Sequence, residues 1–356
     1  MAKMLRKGNE AIGEAAIAAG CRFFFGYPIT PQNEIPEYFS ARLPEVGGVF
    51  LQAESEIAAI NMVYGAAAAG ARVMTSSSSP GVALKQEGIS FLCASELPCV
   101  IVNVMRGGPG LGGIQPSQAD YFQITRGGGN GDYRVLSYAP ASVRELAELV
   151  IEAFDVADQY RNPVMIAADG LLGQMMEPVD MEEAESRPRR ILPEKAWAMT
   201  GTGGRRKPNI INSLILNTLE LEAHCQKLQA KYREMAEREA RAESQGLEDA
   251  EIVIVAFGTM ARIVRSAQAK LRSQGIRVGL IRPITLWPFP VRAFAAIPVS
   301  AKCVVSMEMS CGQMIDDVRI AVNGRWPVEF FGRTGGVVPT VAEVVESVVK
   351  LRGRLA

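Results

Sequence analysis

The chain has 356 residues, of which 48% are hydrophobic and 21% charged, with 38 basic and 38 acidic side chains. This length allows two α/β domains with separate cores, and the composition is that of an ordinary globular protein. A formal net charge of zero argues against a nucleic-acid-binding or membrane-binding surface. The sequence contains no apolar stretch of the roughly 18 residues that a membrane span needs. Its first ten residues lack a hydrophobic signal core. We therefore expect a cytoplasmic protein with no membrane or nucleic-acid partner.

The six cysteines indicate reduced thiols rather than a disulfide framework. They contain no Cys-x-x-Cys pair, and the same spacing argues against a ferredoxin-like iron–sulfur site in this chain. The six positions are Cys21, Cys93, Cys99, Cys225, Cys303 and Cys311.

Strand-like and helix-like patterns alternate along the first 180 residues, which predicts a parallel sheet covered by helices on both faces. Strands are predicted at residues 22–27, 49–52, 72–76, 99–105, 134–138 and 163–168. Helices are predicted at residues 10–19, 54–69, 80–94 and 141–158.

The segment that follows breaks this alternation. Residues 186–208 are rich in Pro, Gly and Arg and are predicted to be an extended linker, whereas residues 212–245 are predicted to form one long amphipathic helix. Its apolar residues recur every seven positions, and packing against its own domains is favoured over a partner helix. The single histidine, His224, lies here and is assigned no role. The recurring residues are Leu214, Leu221, Leu228 and Met235.

A second α/β unit begins near residue 251. Strands are predicted at 252–257, 277–281, 303–307 and 328–331, and helices at 261–274, 312–322 and 341–352. We therefore divide the chain into a first domain (1–185), a linker with the long helix (186–246) and a second domain (247–356).

Two segments near the N-terminus place polar groups at predicted strand ends. Residues 25–34 (FGYPITPQNE) run from a strand into a turn in which two prolines hold Thr30 in a non-helical conformation. Residues 52–66 (QAESEIAAINMVYGA) place Glu56 in the first turn of an apolar helix, at a strand end where α/β sheets bind ligands. A buried carboxylate needs a specific partner. From the residues alone, a favourable interaction of Glu56 with the helix dipole is the simpler interpretation.

Arg106 follows the predicted strand 99–105 and enters a glycine-rich run at 107–113. A guanidinium at a strand end can hold a carboxylate bidentately, although a solvent-exposed loop arginine is the more common case. Thr30 can also act as the N-cap of a helix at 31–39. The serine-rich turn at 75–81 opens a helix and can bind an anion.

Six motifs occur in the order found in one enzyme family. Residues 25–34, 52–66 and 100–121 (VIVNVMRGGPGLGGIQPSQADY) resemble the thiamine-diphosphate-dependent 2-oxoacid:ferredoxin oxidoreductases, as do 127–133, 308–314 and 331–336. The resemblance is greatest to the alpha-type subunit of the branched-chain (3-methyl-2-oxobutanoate) and 2-oxoglutarate members. It implies an α/β fold, with a parallel-sheet thiamine-diphosphate-binding domain of the pyrimidine type and a smaller domain like the C-terminal domain of transketolase.

The resemblance also implies roles for individual residues. Glu56 is expected to be catalytic and to exchange a proton with the pyrimidine ring of the cofactor. Its neighbour Glu54 is the competing acid, but the family motif aligns with Glu56. Tyr27 and Pro28 are expected to bind the cofactor, whereas Thr30 and Arg106 are expected to bind the substrate.

A Gly-Asp-Gly followed by a downstream Asn pair, the pattern by which such enzymes hold magnesium and diphosphate, is not found in the sequence. We therefore expect no metal site in this chain and only half of a thiamine diphosphate site. The resemblance implies a beta subunit with the diphosphate–Mg²⁺ site and [4Fe–4S] clusters, together with gamma and ferredoxin-like subunits. The complex would convert a 2-oxoacid and coenzyme A to an acyl-CoA and pass the electrons to ferredoxin.

Several alternatives remain open. Residues 108–118 slightly favour a branched-chain substrate over 2-oxoglutarate, which would need a second cation from Arg22, Lys85 or Arg126. A thiamine-dependent component without clusters, or a non-catalytic scaffold, are rival functions. A nucleophile pair of Glu308 and Cys311 is less favoured than a structural role for both.

Overall fold

A computed structural model describes residues 4–355, in which strands and helices alternate around two mainly parallel sheets. The elements of the first half are β1 (Met4–Lys7), α1 (Gly8–Ala18), β2 (Phe23–Gly26), α2 (Glu34–Arg42), β3 (Val49–Gln52), α3 (Glu56–Ala68), β4 (Val73–Ser77), α4 (Ser79–Ala94), β5 (Cys99–Met105), α5 (Tyr121–Arg126), β6 (Leu136–Tyr138), α6 (Val143–Tyr160), β7 (Pro163–Asp169), α7 (Gly170–Gln174), β8 (Met176–Val179) and α8 (Met181–Glu185). Those of the second half are α9 (Thr218–Glu239), β9 (Ala242–Gln245), β10 (Ile252–Val255), α10 (Gly258–Ser273), β11 (Val278–Pro283), β12 (Thr285–Trp287), β13 (Cys303–Glu308), α11 (Met314–Val322), β14 (Val328–Gly332) and α12 (Val341–Leu355). Short 3₁₀ helices lie at Pro44–Val46 and Val291–Ala296.

The first sheet has seven strands in the order β12-β6-β7-β5-β4-β2-β3. Every residue of β4, β5 and β7 is buried, as expected for parallel strands covered by helices on both faces. Helix α6 begins at Val143, where the Ser142 hydroxyl accepts the amide hydrogen of Glu145. The alternation seen in the sequence therefore predicted this sheet correctly, with the exception of its edge strand β12.

The second sheet has five strands in the order β14-β13-β10-β11-β9. β10, β11, β13 and β14 are parallel, and β9 pairs antiparallel with β11. One core packs α10 and α12 against the buried side chains of these strands. The α/β class expected for both halves of the chain is confirmed.

The predicted helix at 212–245 is wrong at both ends. Helix α9 begins at Thr218, because the Asn217 side chain accepts the amide hydrogens of Leu219 and Glu220. Residues 242–245 form β9 instead. Of the heptad positions, Leu214 precedes the helix, whereas Leu228 and Met235 are buried in the core of the first sheet. This part of α9 therefore packs against its own chain, the alternative that the sequence favoured.

Strand β12 was not predicted, because three residues carry no readable periodicity. It crosses from the second half of the chain to pair antiparallel with β6. The two-stranded antiparallel sheet of β1 and β8 was also not predicted. Among the helices of residues 4–355, none is both long and apolar enough to cross a membrane.

Candidate active site

The carboxyl ends of four neighbouring strands meet at one edge of the first sheet. β2 pairs in parallel with β3 and with β4, and β4 pairs in parallel with β5. The segments that follow these strands carry the Tyr27–Thr30 turn, Glu56, the 77–79 serines and Arg106. The structure therefore brings the sequence-predicted site residues to the same edge, the usual ligand-binding position of an open α/β sheet.

Glu56 is the first residue of α3, and only 6% of it is exposed. The helix begins here because the Ser55 hydroxyl accepts the amide hydrogen of Ala58 at 3.1 Å. No hydrogen bond or ion pair to the Glu56 carboxylate is found within residues 4–355. A carboxylate so buried is costly unless a ligand or a further charge stabilises it, so its position suits a ligand-binding group.

A missing side chain on α4 makes room for this carboxylate. A Cβ atom on Gly81 would lie 2.1 Å from Ser77 Oγ and 2.5 Å from Glu56 Oε1, both far inside van der Waals contact. The hydroxyls of Ser77 and Ser78 are buried and have no hydrogen-bond partner in the chain. Because buried hydroxyls are normally hydrogen-bonded, these unpaired atoms suit a site that a polar ligand completes.

We expect Gly81→Ala to displace the Glu56 carboxylate. On the expectation from the family motif that Glu56 is catalytic, turnover should fall on the order of 10²-fold, the cost of a shift of about 1 Å in a catalytic group. Gly353→Ala is the control, because Gly353 also lies in a helix but has open space around its Cβ position. Steady-state rates of both variants measure the loss of turnover, and thermal unfolding shows whether the fold is preserved. Full activity of the Gly81 variant would contradict the tight packing described above.

Arg106 is buried rather than a solvent-exposed loop arginine, so the common interpretation of its sequence position is wrong. Its Nη1 donates to the Thr30 carbonyl at 2.9 Å and its Nη2 to the Leu111 carbonyl at 3.0 Å. Its Nε is buried without a partner. No carboxylate of residues 4–355 forms an ion pair with this guanidinium, which leaves its charge available to an anionic ligand.

The turn after β2 presents exposed side chains beside Arg106. Tyr27, Pro28 and Thr30 are all exposed, and the Thr30 carbonyl contacts Arg106. The alternative role of Thr30 as a helix N-cap is wrong, because α2 begins at Glu34 and Asn33 occupies the N-cap position. The Thr30 hydroxyl is therefore free of that role.

Sequence reasoning missed a polar cluster beside this site. Asn103 Nδ2 donates to Asp120 Oδ2 at 2.9 Å, and Asn103 Oδ1 accepts the amide hydrogen of Ser79 at 3.1 Å. Burial raises the pKa of Asp120, against the hydrogen bonds from Ser79 and Asn103 and the charge of Arg106. Asp120 and Ser79 line a cavity of about 530 Å³ that reaches Cys311 and Thr334 in the second half of the chain. In the sequence, this cluster is indicated by the polar residues within 117–120, which follow the glycine-rich segment.

The three cations considered for a second substrate carboxylate all have partners within the chain. Arg22 donates to the carbonyls of Ile17 and Cys21, at the amino end of β2. Lys85 is fully buried and donates to Thr75 Oγ1 at 2.7 Å. Arg126 forms an ion pair with Asp317 at 2.9 Å. None of the three is presented to the Arg106 site as a free cation.

Glu308 is not part of a nucleophile pair. Its buried carboxylate accepts hydrogen bonds from two serine hydroxyls and from three backbone amides, and it holds the start of α11. These donors are Ser306, Ser310, Gln313, Met314 and Ile315. Cys311 is exposed. Across residues 4–355, no group of three His, Cys, Asp or Glu side chains is arranged to hold a metal ion.

Two family descriptions match the chain. Residues 14–243 match the family described as pyruvate flavodoxin/ferredoxin oxidoreductase, thiamine diphosphate-binding. Residues 250–344 match the pyruvate:ferredoxin oxidoreductase core domain II.

Similar proteins match over nearly the whole chain. The ketoisovalerate oxidoreductase subunit VorB of Methanothermobacter thermautotrophicus is 50% identical, over 99% of each chain. The 2-oxoglutarate synthase subunit KorA of Methanocaldococcus jannaschii is 36% identical, over 96% of this chain and 98% of the relative.

Solved structures share the fold. The 2-oxoglutarate:ferredoxin oxidoreductase from Magnetococcus marinus, with 2-oxoglutarate, coenzyme A and succinyl-CoA bound, has a TM-score of 0.87 and 28% identity. The match covers 98% of this chain and 65% of that one, so this chain spans about two thirds of its length. A split-gene transketolase matches with a TM-score of 0.59 at 16% identity, which shows a likeness of fold alone.

Proposed function

The chain belongs to the pyruvate flavodoxin/ferredoxin oxidoreductase family, and from this membership we propose that it is the alpha-type subunit of a 2-oxoacid:ferredoxin oxidoreductase. It would bind the pyrimidine half of thiamine diphosphate at the sheet edge that carries Glu56. The complex, in the cytoplasm, would convert a 2-oxoacid and coenzyme A to an acyl-CoA and pass the electrons to ferredoxin.

The observation that carries this proposal is the unpaired, buried carboxylate of Glu56 beside the unpaired hydroxyls of Ser77 and Ser78. When bound, thiamine diphosphate supplies the electron sink that decarboxylation of a 2-oxoacid requires. Glu56 exchanges a proton between its carboxyl oxygen and the pyrimidine ring nitrogen. Low water access at this residue suits such an exchange, because a dry site strengthens the hydrogen bond between the two groups. Tyr27 and Pro28, exposed in the turn after β2, would contact the bound cofactor.

Arg106 and Thr30 receive the substrate in this proposal. The Arg106 guanidinium pairs with the carboxylate that all 2-oxoacids share, and its buried, unpartnered Nε is one of the donors. The Thr30 hydroxyl donates to the carboxylate or to the carbonyl. Because Arg106 also holds the Thr30 carbonyl, the two groups are positioned together.

We propose a branched-chain substrate such as 3-methyl-2-oxobutanoate. A dicarboxylic acid needs a second cation, and Arg22, Lys85 and Arg126 are each bound to partners in the chain. The relative that is 50% identical carries the ketoisovalerate name. 2-Oxoglutarate is the second candidate, favoured by the KorA relatives.

The remaining half of the cofactor site is assigned to a partner. We propose a beta subunit that supplies Mg²⁺, the diphosphate site and [4Fe–4S] clusters, with gamma and ferredoxin-like subunits beside it. Support comes from the sequence, which lacks the diphosphate-binding pattern, and from exposed apolar side chains on α3, which begins with Glu56, and on the neighbouring α4. These are Ile57 (50% exposed), Leu84 (52%) and Phe91 (37%).

Calorimetry tests the half-site directly. Titration of thiamine diphosphate with Mg²⁺ into the purified chain should give weak binding, and addition of the beta subunit should give tight binding. Tight, Mg²⁺-dependent binding by the chain alone would contradict the proposal. Co-purification of the chain with a brown, cluster-bearing subunit separates this function from a thiamine-dependent component without clusters and from a scaffold.

A further inference from the structure

Lys85 is a fully buried cation that the proposed chemistry does not use. It lies on α4 with 0% exposure, and its Nζ donates to Thr75 Oγ1 at 2.7 Å and to the Ser76 carbonyl at 3.0 Å. An ammonium carries three donors, so one N–H is left after these two bonds. No ion pair with Lys85 is found within the described part of the chain, residues 4–355. An ammonium that is buried without an ion-pair partner destabilises the fold, so a functional role for Lys85 is indicated.

Gly81 of α4 lies between Lys85 and Glu56. Residues four apart in a helix lie on one face, so Lys85 and Gly81 share the face of α4 that meets α3 and β4. The Cβ position of Gly81 lies 2.5 Å from Glu56 Oε1 and 2.1 Å from Ser77 Oγ. Lys85 is bonded to Thr75 and Ser76, the two residues that precede Ser77 on β4.

The charges around Lys85 are few. Glu56 faces it from α3 and the Cys99 thiol from β5, and the groups offered by β4 are neutral oxygens. Burial raises the pKa of Cys99, so that thiol carries no charge near neutral pH. When its carboxyl is ionised, Glu56 is therefore the counter-charge of Lys85. Burial lowers the pKa of Lys85 to about 7, an effect that the negative charge of Glu56 opposes.

We propose that Lys85 is a positioning residue whose charge stabilises the Glu56 carboxylate when Glu56 passes its proton to the cofactor. The inference rests on the proposed function. In this step the O–H bond of the Glu56 carboxyl breaks and an N–H bond forms at the pyrimidine ring nitrogen. Lys85 keeps its own proton throughout. Lys85 thus acts through Glu56 and contacts neither cofactor nor substrate.

A double-mutant cycle on cofactor affinity tests the coupling without turnover. The complex is titrated with thiamine diphosphate and Mg²⁺ in four forms: wild type, Lys85→Met, Glu56→Gln and the double variant. Lys85→Met should weaken binding by about tenfold to a hundredfold, the scale of two charges several ångströms apart at a protein-like dielectric. In the Glu56→Gln background the same change should alter affinity by less than about twofold, because the partner charge is gone.

The pH dependence gives a second signature. Because Lys85 is charged below its lowered pKa, wild-type affinity should fall as the pH rises through about 7. The affinity of the Lys85→Met complex for thiamine diphosphate should not show this fall near pH 7. Lys231→Met is the matched control: Lys231 lies on α9, its side chain is 12% exposed, burial lowers its pKa, and it pairs with Glu96. This control should retain the wild-type pH dependence.

Each outcome decides the inference. A Lys85→Met complex with wild-type affinity, beside an impaired Glu56→Gln complex, would overturn it and leave the proposed function intact. An equal loss in both backgrounds would show a structural role and would also overturn it. Thiamine diphosphate that fails to bind even the wild-type complex would instead refute the proposed function. If Lys85→Met does not fold, Thr75→Val is the second variant, because it keeps the ammonium but removes its hydroxyl partner. A pH dependence of cofactor affinity identical to that of the wild type in this variant would overturn the inference.

Discussion

Replacement of Glu56 by Gln should leave the fold intact and reduce turnover of the reconstituted complex by about 10²–10⁴-fold, the usual contribution of a general acid or base. Glutamine has nearly the same shape and hydrogen-bonding reach but cannot give up a proton. The side chain fills the space beside Gly81, so the isosteric change should not disturb the packing of α4 against α3. Steady-state rates at saturating cofactor measure the loss.

Glu54→Gln is the matched control for this experiment. Glu54 lies two residues before Glu56 and is exposed, whereas Glu56 is buried. The control should therefore have wild-type turnover. If Glu54→Gln lost activity and Glu56→Gln did not, the proton exchange would belong to Glu54, and the assignment from the family motif would be wrong.

Arg106→Ala should lower kcat/KM for every 2-oxoacid alike. Truncation of one member of a desolvated charge pair costs about 2–5 kcal/mol, and the guanidinium is buried in the structure. Because Arg106 also holds the carbonyls of Thr30 and Leu111, part of the loss will come from a loosened turn. Thermal unfolding and cofactor affinity of the variant measure that part separately.

Arg106→Lys is the informative companion. It keeps the charge but cannot present a planar fork to a carboxylate, so it should recover only part of the activity. Kinetics with 3-methyl-2-oxobutanoate and 2-oxoglutarate separate the two possible roles. A variant that loses activity only with 2-oxoglutarate would show that Arg106 binds the distal carboxylate of that substrate. The proposed preference for a branched-chain substrate would then be wrong as well.

Local patterns in the sequence were sufficient to predict most strands of the first sheet. Buried parallel strands such as β5 and β7 consist of short apolar runs, and helix α6 between them shows a clear apolar face. The position of Glu56 at a strand end also follows from local order along the chain. These features are short-range, so no knowledge of tertiary contacts was needed to find them.

Elements whose conformation depends on distant partners were missed or misplaced. β12 has three residues and forms a strand because β6 lies beside it. The predicted helix at 212–245 stops at Glu239 because the following residues pair with β11. A local pattern contains neither partner, and tertiary pairing overrides propensity in such segments.

The sequence by itself determined the α/β class, the family and the edge of the sheet where the site lies. Only the tertiary structure decided the surroundings of each side chain: the burial of Arg106, the hydrogen bonds of Glu308 and the burial of Lys85 against Thr75 and Ser76. The physical reason is that burial and charge pairing depend on residues that sheet order and helix packing bring together from distant positions. Lys85 lies one helical turn from Gly81 on α4, and Gly81, which the sequence alone did not mark, makes room for the Glu56 carboxylate of α3.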